Sequence, residues 1–205
     1  MPEATQLSTG IFAGGEFHTS DSAAVIPVEN PYDHTPVGEA PDGSAADVDR
    51  AVRAAREAFD HGPWPRLSPA ERADWMDRLA DELERTSAET AAFVTDEIGQ
   101  PISVARFMNG IRPVQHLRYY ARLARDLAVE EARPNNDRAG SSLHLRQPLG
   151  VAALIVPWNH PQSSTTLKLG PALAAGCTVV IKPAAESPLD IANLAVAAQR
   201  IDLPA

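Results

Sequence analysis

The chain has 205 residues, of which 44% are hydrophobic and 22% charged, the composition of an ordinary globular protein with a sizeable core. Its 27 acids against 18 bases give a net charge of -9, which argues against an electrostatic nucleic-acid binder. No apolar run nears the ~20 residues that cross a bilayer, and Cys177, the single cysteine, excludes an internal disulfide framework and a Cys-cluster zinc site. The N-terminal stretch MPEATQLSTG lacks the basic and apolar regions of a secretory leader, so a cytoplasmic location is expected.

In chain order, Ile11 to Ala13 and Glu16 to His18 flank Gly14-Gly15, a two-residue hairpin signal. Ala24 to Val28 and Thr35 to Ala40 read as extended pieces around the turn-rich Asn30-Pro31-Tyr32-Asp33. A helical block follows. Ser44 and Asp47 form a capping-box pattern, with Val48, Val52, Ala55 and Phe59 on one helix face. Ser68-Pro69-Ala70-Glu71 starts a second helix, whose buried stripe is Trp75, Leu79 and Leu83. Ser87 opens a third, which Gly99 and Pro101 close. The longest helix is expected from Ile111 to about Glu131, with Val114, Leu117, Ala121 and Ala124 inward.

The polar run from Arg133 to Gly140 marks a boundary, and Leu143 and Leu145 alternate with polar residues as in an exposed strand. From Gly150 the texture changes. Val151 to Val156 is a continuous apolar run, the pattern of a strand buried on both faces of a parallel sheet. A helix to about Ala175 ends at Gly176, and a second apolar strand runs from Thr178 to Ile181. Ser187-Pro188-Leu189-Asp190 then caps a last helix. This β-α-β-α order is half of a doubly wound sheet.

In open α/β sheets, ligands bind beyond the carboxyl ends of the strands. That rule selects the turn from Pro157 to Pro161 and the turn from Lys182 to Pro188, each feeding a helix N-terminus that favours anions. Asn159 carries side-chain N–H donors fit for a developing oxyanion; it is equally a simple helix cap. Lys182 and Lys168 are the only lysines among 18 bases. Where a compact point charge is needed, arginine substitutes poorly. Lys182 suits a phosphate or ribose, and its plain alternative is a solvated surface lysine. Cys177 begins the second strand, about five residues or ~16 Å from Lys182, and is assigned no catalytic role. The six histidines show no ligand pairing, so no metal is assigned, and G-x-G-x-x-G is absent.

At these turns the chain resembles the aldehyde dehydrogenase superfamily. The matching runs are PLGVAALIVPWNHP over 148–161 and LKLGPALAAGCTVVIKP over 167–183. The likeness continues upstream through Glu29-Asn30-Pro31, AVRAAREAF over 51–59, Pro69 to Arg72, Glu97-Ile98-Gly99 and LRYYA over 117–121, and so covers nearly the whole chain. The resemblance implies an aldehyde dehydrogenase-like α/β fold: an N-terminal β-hairpin region and helical block, then the first half of a Rossmann-like parallel sheet. Its implied divisions are strands and helices over 1–138, an oligomerisation-arm strand over 139–149, and the first part of the NAD(P)-binding region over 150–205.

Family members oxidise an aldehyde through a cysteine thiohemiacetal, pass hydride to NAD or NADP, and release the acid with a glutamate-activated water. By resemblance, Asn159 is the oxyanion-hole asparagine and Lys168 a lysine linked to proton relay. Ile155, Val156, Pro157 and Trp158 line the cofactor cleft, and Lys182 bonds the adenosine ribose. Residues near Met108 to Tyr120 contribute to the aldehyde tunnel. Ala185 stands where the family often has an acid that bonds the 2′-OH of NAD, so NADP is expected to be tolerated as well. The chain stops before the family's glycine-rich loop, catalytic cysteine and general-base glutamate; the expectation is an N-terminal portion inactive by itself. A homodimer or homotetramer is implied for the complete enzyme. Two other readings stand beside this one: a catalytically dead interaction module of the same fold, and a CoA-acylating relative.

Overall fold

A computed structural model describes residues 10–136 and 139–204. The segment read as lacking a leader, residues 1–9, lies outside the described residues. Strands β1 (Gly10–Ala13) and β2 (Glu16–Thr19) pair antiparallel as the Gly14-Gly15 signal predicts. Both glycines take positive φ, 62° and 84°, which lets two residues reverse the chain in step with strand twist. Strands β3 (Val25–Glu29) and β4 (Pro36–Pro41) pair with each other across the second turn.

Helix α1 (Ala45–Asp60) carries the full Ser44–Asp47 capping box. Its packed face keeps Ala55 of the expected stripe, which is buried, but not Val48 and Val52, which are 55% and 44% exposed; Asp47 is buried in addition. The helix approaches the sheet so closely that Thr178 Oγ1 donates to the Ala55 carbonyl at 2.7 Å. Small side chains permit that approach; valines would hold the backbones apart. Asp47 is buried because it also accepts from Ser20 Oγ at 2.7 Å and the Asp21 amide at 3.1 Å, bonds that hold its carboxyl well below the usual range.

Helix α2 (Pro69–Arg85) starts at a second complete capping box, Ser68 with Glu71. Helix α3 (Ser87–Ile98) ends at Gly99. A short helix α4 (Ile102–Ala105) runs through a π-helical turn, Arg106–Ile111, into α5 (Arg112–Arg125). The helix expected to reach Glu131 therefore stops at Arg125. Glu130 and Glu131 instead open β5 (Glu130–Pro134), which pairs in full antiparallel register with β6 (Ser141–Leu145). Ladder hydrogen bonds and the Arg133–Glu131 ion pair outcompete local helix propensity there.

Strands β7 (Val151–Ile155) and β8 (Thr178–Lys182) are parallel, joined by helix α6 (Pro161–Ala175) and followed by α7 (Leu189–Arg200). Leu154 joins the main core, with Ala152, Val179 and Ile181 packed beside it. That core also holds the apolar stripes of α2, α5, α6 and α7, among them Met76, Leu79, Leu117, Leu169 and Leu194. The expectation of burial on both faces fails for β7. Alternate residues of this strand, Ala153 and Ile155, are exposed on its second face, which α1 approaches at the amino-terminal end of β8, at Thr178.

The start of α7 also departs from expectation. Its N-cap is Pro188, which offers no side-chain bond, and the Ser187 hydroxyl is buried without a partner among the described residues. The cap comes from α3: Glu97 Oε1 accepts from the Leu189 amide at 2.7 Å and Oε2 from the Asp190 amide at 3.2 Å. A proline N-cap leaves helix amides that need an acceptor from elsewhere.

Candidate active-site edge

The β7–β8 register pairs Ile155 with Lys182. Both strands thus end level, and the Val156 amide donates to the Lys182 carbonyl at 3.2 Å, tying one turn to the other. The segments singled out by the sequence lie side by side on one edge.

Ile155 is 66% exposed on the uncovered face, Val156 is buried, and Trp158 presents half its surface. Pro157, Asn159, Lys182 and Ala185 are exposed. Lys168 projects from α6 and donates its ammonium to the Ile155 carbonyl, so it is tied to this edge too. A cleft of about 330 Å³ opens here, with Trp158, Ala185 and Glu186 on one wall and Pro27, Pro31 and Ile98 among the others. It brings Trp158 and Ala185 together; Asn159, Lys168 and Lys182 stand outside its lining. A shallower depression of about 600 Å³ along α1, at Val52, Arg53 and Arg56, holds none of these residues.

Only part of the expected anion-binding character is present. The first amides of α7 are occupied by Glu97, so that helix start is already matched to an internal carboxyl and is not open to an external anion. Around that contact sits a buried polar cluster that sequence reasoning missed. Asp190 is fully buried; its Oδ1 accepts from Gln162 Nε2 at 3.1 Å, and its Oδ2 has no partner among the described residues. Burial pushes Glu97 up to about 7 against the pull of two amide donors. Burial, with Glu97 nearby, pushes Asp190 well above the usual carboxyl range.

A second missed group holds the asparagine turn. Gln100 Nε2 donates to the Asn159 carbonyl at 3.0 Å and lies 2.9 Å from His160 Nδ1. Gln100 Oε1 accepts from Asn109 Nδ2 at 2.8 Å. Asn109 is buried within the π-helical turn. The sequence signal for it was slight: an amide amid the otherwise apolar or charged run RFMNGI. In the adjoining α5, His116 Nδ1 lies 3.1 Å from Thr166 Oγ1, and burial pushes this imidazole below its ordinary value.

Cys177 is buried and precedes the first residue of β8, at the end of the strand opposite Lys182. Among the described residues, no three His, Cys, Asp or Glu side chains gather to hold a metal, and no helix is long and apolar enough to cross a membrane.

Comparison with known proteins accounts for this architecture. Geranial dehydrogenase of Castellaniella defragrans is 41% identical over 194 residues, which cover 95% of this chain and 40% of that protein. An Escherichia coli NADP/NAD-dependent aldehyde dehydrogenase is 34% identical over 97% of this chain and 40% of its own length. Among solved structures, a Mycobacterium tuberculosis aldehyde dehydrogenase complexed with NAD+ superposes with a TM-score of 0.90 at 37% identity, covering 96% of this chain and 40% of that one. A Pseudomonas syringae aldehyde dehydrogenase variant, complexed with NAD+ and octanal, gives 0.90 at 36% identity over 97% of this chain and 39% of that one. The chain thus spans about 40% of the length of the curated relatives it matches. Residues 17–205 match the model of the aldehyde dehydrogenase family, and the chain belongs to that family.

Proposed function

We propose that these 205 residues form the cofactor-cleft and oxyanion portion of an NAD(P)-dependent enzyme that oxidises an aldehyde to a carboxylic acid. The observation that carries this reading is the Val156–Lys182 tie, which sets the Trp158-Asn159 turn beside the Lys182-Ala185 turn at one sheet edge. The residues present fit a dinucleotide: a cleft between the β3–β4 hairpin and the half-exposed indole of Trp158, with Ala185 in its wall, and an exposed ammonium at Lys182 on the same sheet edge, outside that lining. When bound, the nicotinamide group accepts the hydride that leaves the aldehyde carbon.

Lys182 bonds ribose or phosphate oxygens as a compact cation. Ile155, Val156, Pro157 and Trp158 form an apolar wall at the strand end, and Ala185 leaves the ribose side without a carboxylate. Asn159 donates its side-chain N–H to the carbonyl oxygen as negative charge develops there. Lys168 holds a proton at the Ile155 carbonyl and serves as the relay donor at that edge. Cys177, buried at the far end of β8 from Lys182, is not placed to be the nucleophilic sulfur at this edge. By this reading the 205 residues alone do not turn over aldehyde. The exposed β5–β6 hairpin, with Leu143 and Leu145 open, joins copies of the protein into a dimer or tetramer.

The test is aldehyde-dependent formation of NADH and NADPH by the full-length protein and by Asn159→Ala. Loss of roughly a hundredfold to a thousandfold in kcat is expected for the variant. Absence of aldehyde-dependent reduction with either cofactor overturns the reading, as does an unchanged kcat in the variant.

A further inference from the structure

The amide chain behind Asn159 has only one consistent polarity. The Asn159 carbonyl can only accept, so the Gln100 atom 3.0 Å from it must be the NH2 group. That same nitrogen faces His160 Nδ1 at 2.9 Å and has a second hydrogen to give. His160 Nδ1 is therefore an acceptor, and its proton resides on Nε2. The opposite end of the Gln100 amide, Oε1, must then receive a hydrogen, and Asn109 Nδ2 supplies it at 2.8 Å. Asn109 is held in turn by burial within the π-helical turn. One backbone carbonyl thus fixes the orientation of two amides and one imidazole.

Gln100 itself follows Gly99, the residue that closes α3. Its side chain reaches across 59 residues of sequence to the carbonyl that precedes His160. The Asn159 side chain, by contrast, is exposed and has no hydrogen-bond partner among the described residues. The Gln100 donor resists rotation of the 159–160 peptide, alongside the Ser164 amide, which donates to the His160 carbonyl at 2.8 Å.

We propose that Gln100 is a positioning residue: it holds the Asn159 peptide, and with it the Asn159 side-chain donor, through an amide relay anchored on Asn109 and completed by a neutral, Nε2-protonated His160. The catalytic part of this inference rests on the oxyanion reading of Asn159; the structural part does not.

Two measurements test it, and they separate the inference from the reading beneath it. In the full-length protein, 15N-resolved imidazole spectra at neutral pH report the tautomer of His160, assigned by its loss in His160→Gln. Nδ1 is expected unprotonated in the wild type. In Gln100→Glu the carboxylate has no hydrogen to give, so the tautomer is expected to reverse to Nδ1–H, with the 13C resonance of the Asn159 carbonyl shifting as it loses its donor. Gln100→Met, which matches the side chain in length without donors or acceptors, is expected to shift the same carbonyl and serves if Gln100→Glu does not fold. A wild-type His160 protonated on Nδ1, or an Asn159 carbonyl resonance unmoved in the folded variants, overturns the proposal.

In the full-length protein, both variants are expected to lower kcat by about tenfold to a hundredfold with the aldehyde KM nearly unchanged. A rise in KM at constant kcat overturns the positioning role. If the wild type oxidises no aldehyde, the reading of Asn159 fails, while the spectra still decide whether Gln100 holds the turn.

Discussion

Glu97 and Asp190 meet where α3 touches the start of α7: the Asp190 amide donates to Glu97 Oε2 at 3.2 Å, and both carboxyls are buried. Two acids are brought together beneath the cleft that Trp158 and Ala185 line, and Glu97 itself reaches its wall. The contact serves the helix, whose Pro188 N-cap offers no side-chain acceptor. It also places two like charges in a poorly solvated site, and burial raises both carboxyls, Glu97 to about 7.

That cost makes stability depend on pH. The unfolded chain ionises these groups near their ordinary values of 4.5 and 3.8, whereas the folded chain keeps its protons to higher pH. Between those values and about 7 the folded state binds more protons, so this contribution is complete on the acid side and is lost as pH rises. Asp190→Asn keeps a neutral group that can accept from Gln162. It is expected to keep a near-wild-type Tm at mildly acidic pH and to flatten the decline toward neutral and alkaline pH. Thermal melts followed by circular dichroism across that window check it. A variant curve parallel to the wild type would show that the pair is not the source.

Gly170 lies where α6 crosses α5, and a Cβ there would sit 2.4 Å from Tyr120 Cδ2. No side chain fits without moving the ring or the helix. Gly170→Ala is expected to lose about 1–3 kcal/mol through overpacking. In a Tyr120→Ala background the added cost should shrink, because Cγ and Cδ2 are gone and only Cβ, 3.3 Å away, remains. Denaturant melts of the four proteins in this cycle measure the coupling; purely additive losses count against a direct clash.

Arg72 is a buried cation with no carboxylate partner among the described residues. Its Nε donates to the Ala174 carbonyl at 3.1 Å and its guanidinium to the Leu67 carbonyl at 2.6 Å. It thus closes the last turn of α6, where a positive charge also matches the helix dipole. Arg72→Met preserves much of the packing but strands two carbonyls, and roughly 2–3 kcal/mol is expected to be lost. At roughly 2–4 °C per kcal/mol for a chain of this size, the change is readable as a fall in Tm. An unchanged Tm would mean that water satisfies both carbonyls.

Ala185 stands in the cleft wall, next to the exposed Glu186. By the proposed function, Ala185→Glu adds an acceptor for a ribose 2′-OH and a repulsive charge against a 2′-phosphate. The kcat/KM ratio of NAD over NADP is expected to rise by at least about tenfold, equivalent to ~1.4 kcal/mol. Parallel kinetics with both cofactors check this, and an unchanged ratio would place the ribose elsewhere.

Local signals were legible wherever the cause was local. Gly14-Gly15, Ser44 with Asp47, and Ser68 with Glu71 each satisfy backbone groups within a few residues, and each appears as the sequence implies. The two apolar strands and their crossover were legible for the same reason, as was the level edge that gathers Asn159 and Lys182. Length of burial was not. Whether Ile155 is covered depends on how far neighbouring elements extend over the sheet, and whether Val48 joins Ala55 in facing inward depends on how closely α1 approaches Thr178. The end of α5 was decided by β5 finding β6, a pairing that a helical reading of Glu130 cannot contain.

The sequence by itself determined the family, the β-α-β-α order and the two turns on which chemistry is proposed, because these rest on periodicity and on short motifs. Only the tertiary structure decided that Glu97 caps α7, that Asp190 shares its burial, and that Gln100 holds the Asn159 carbonyl. Those contacts join residues 59 to 93 positions apart, and no local pattern marks their partners. A buried amide or carboxyl has no preferred partner in sequence; what it bonds is set by which donor the packed helices leave within reach.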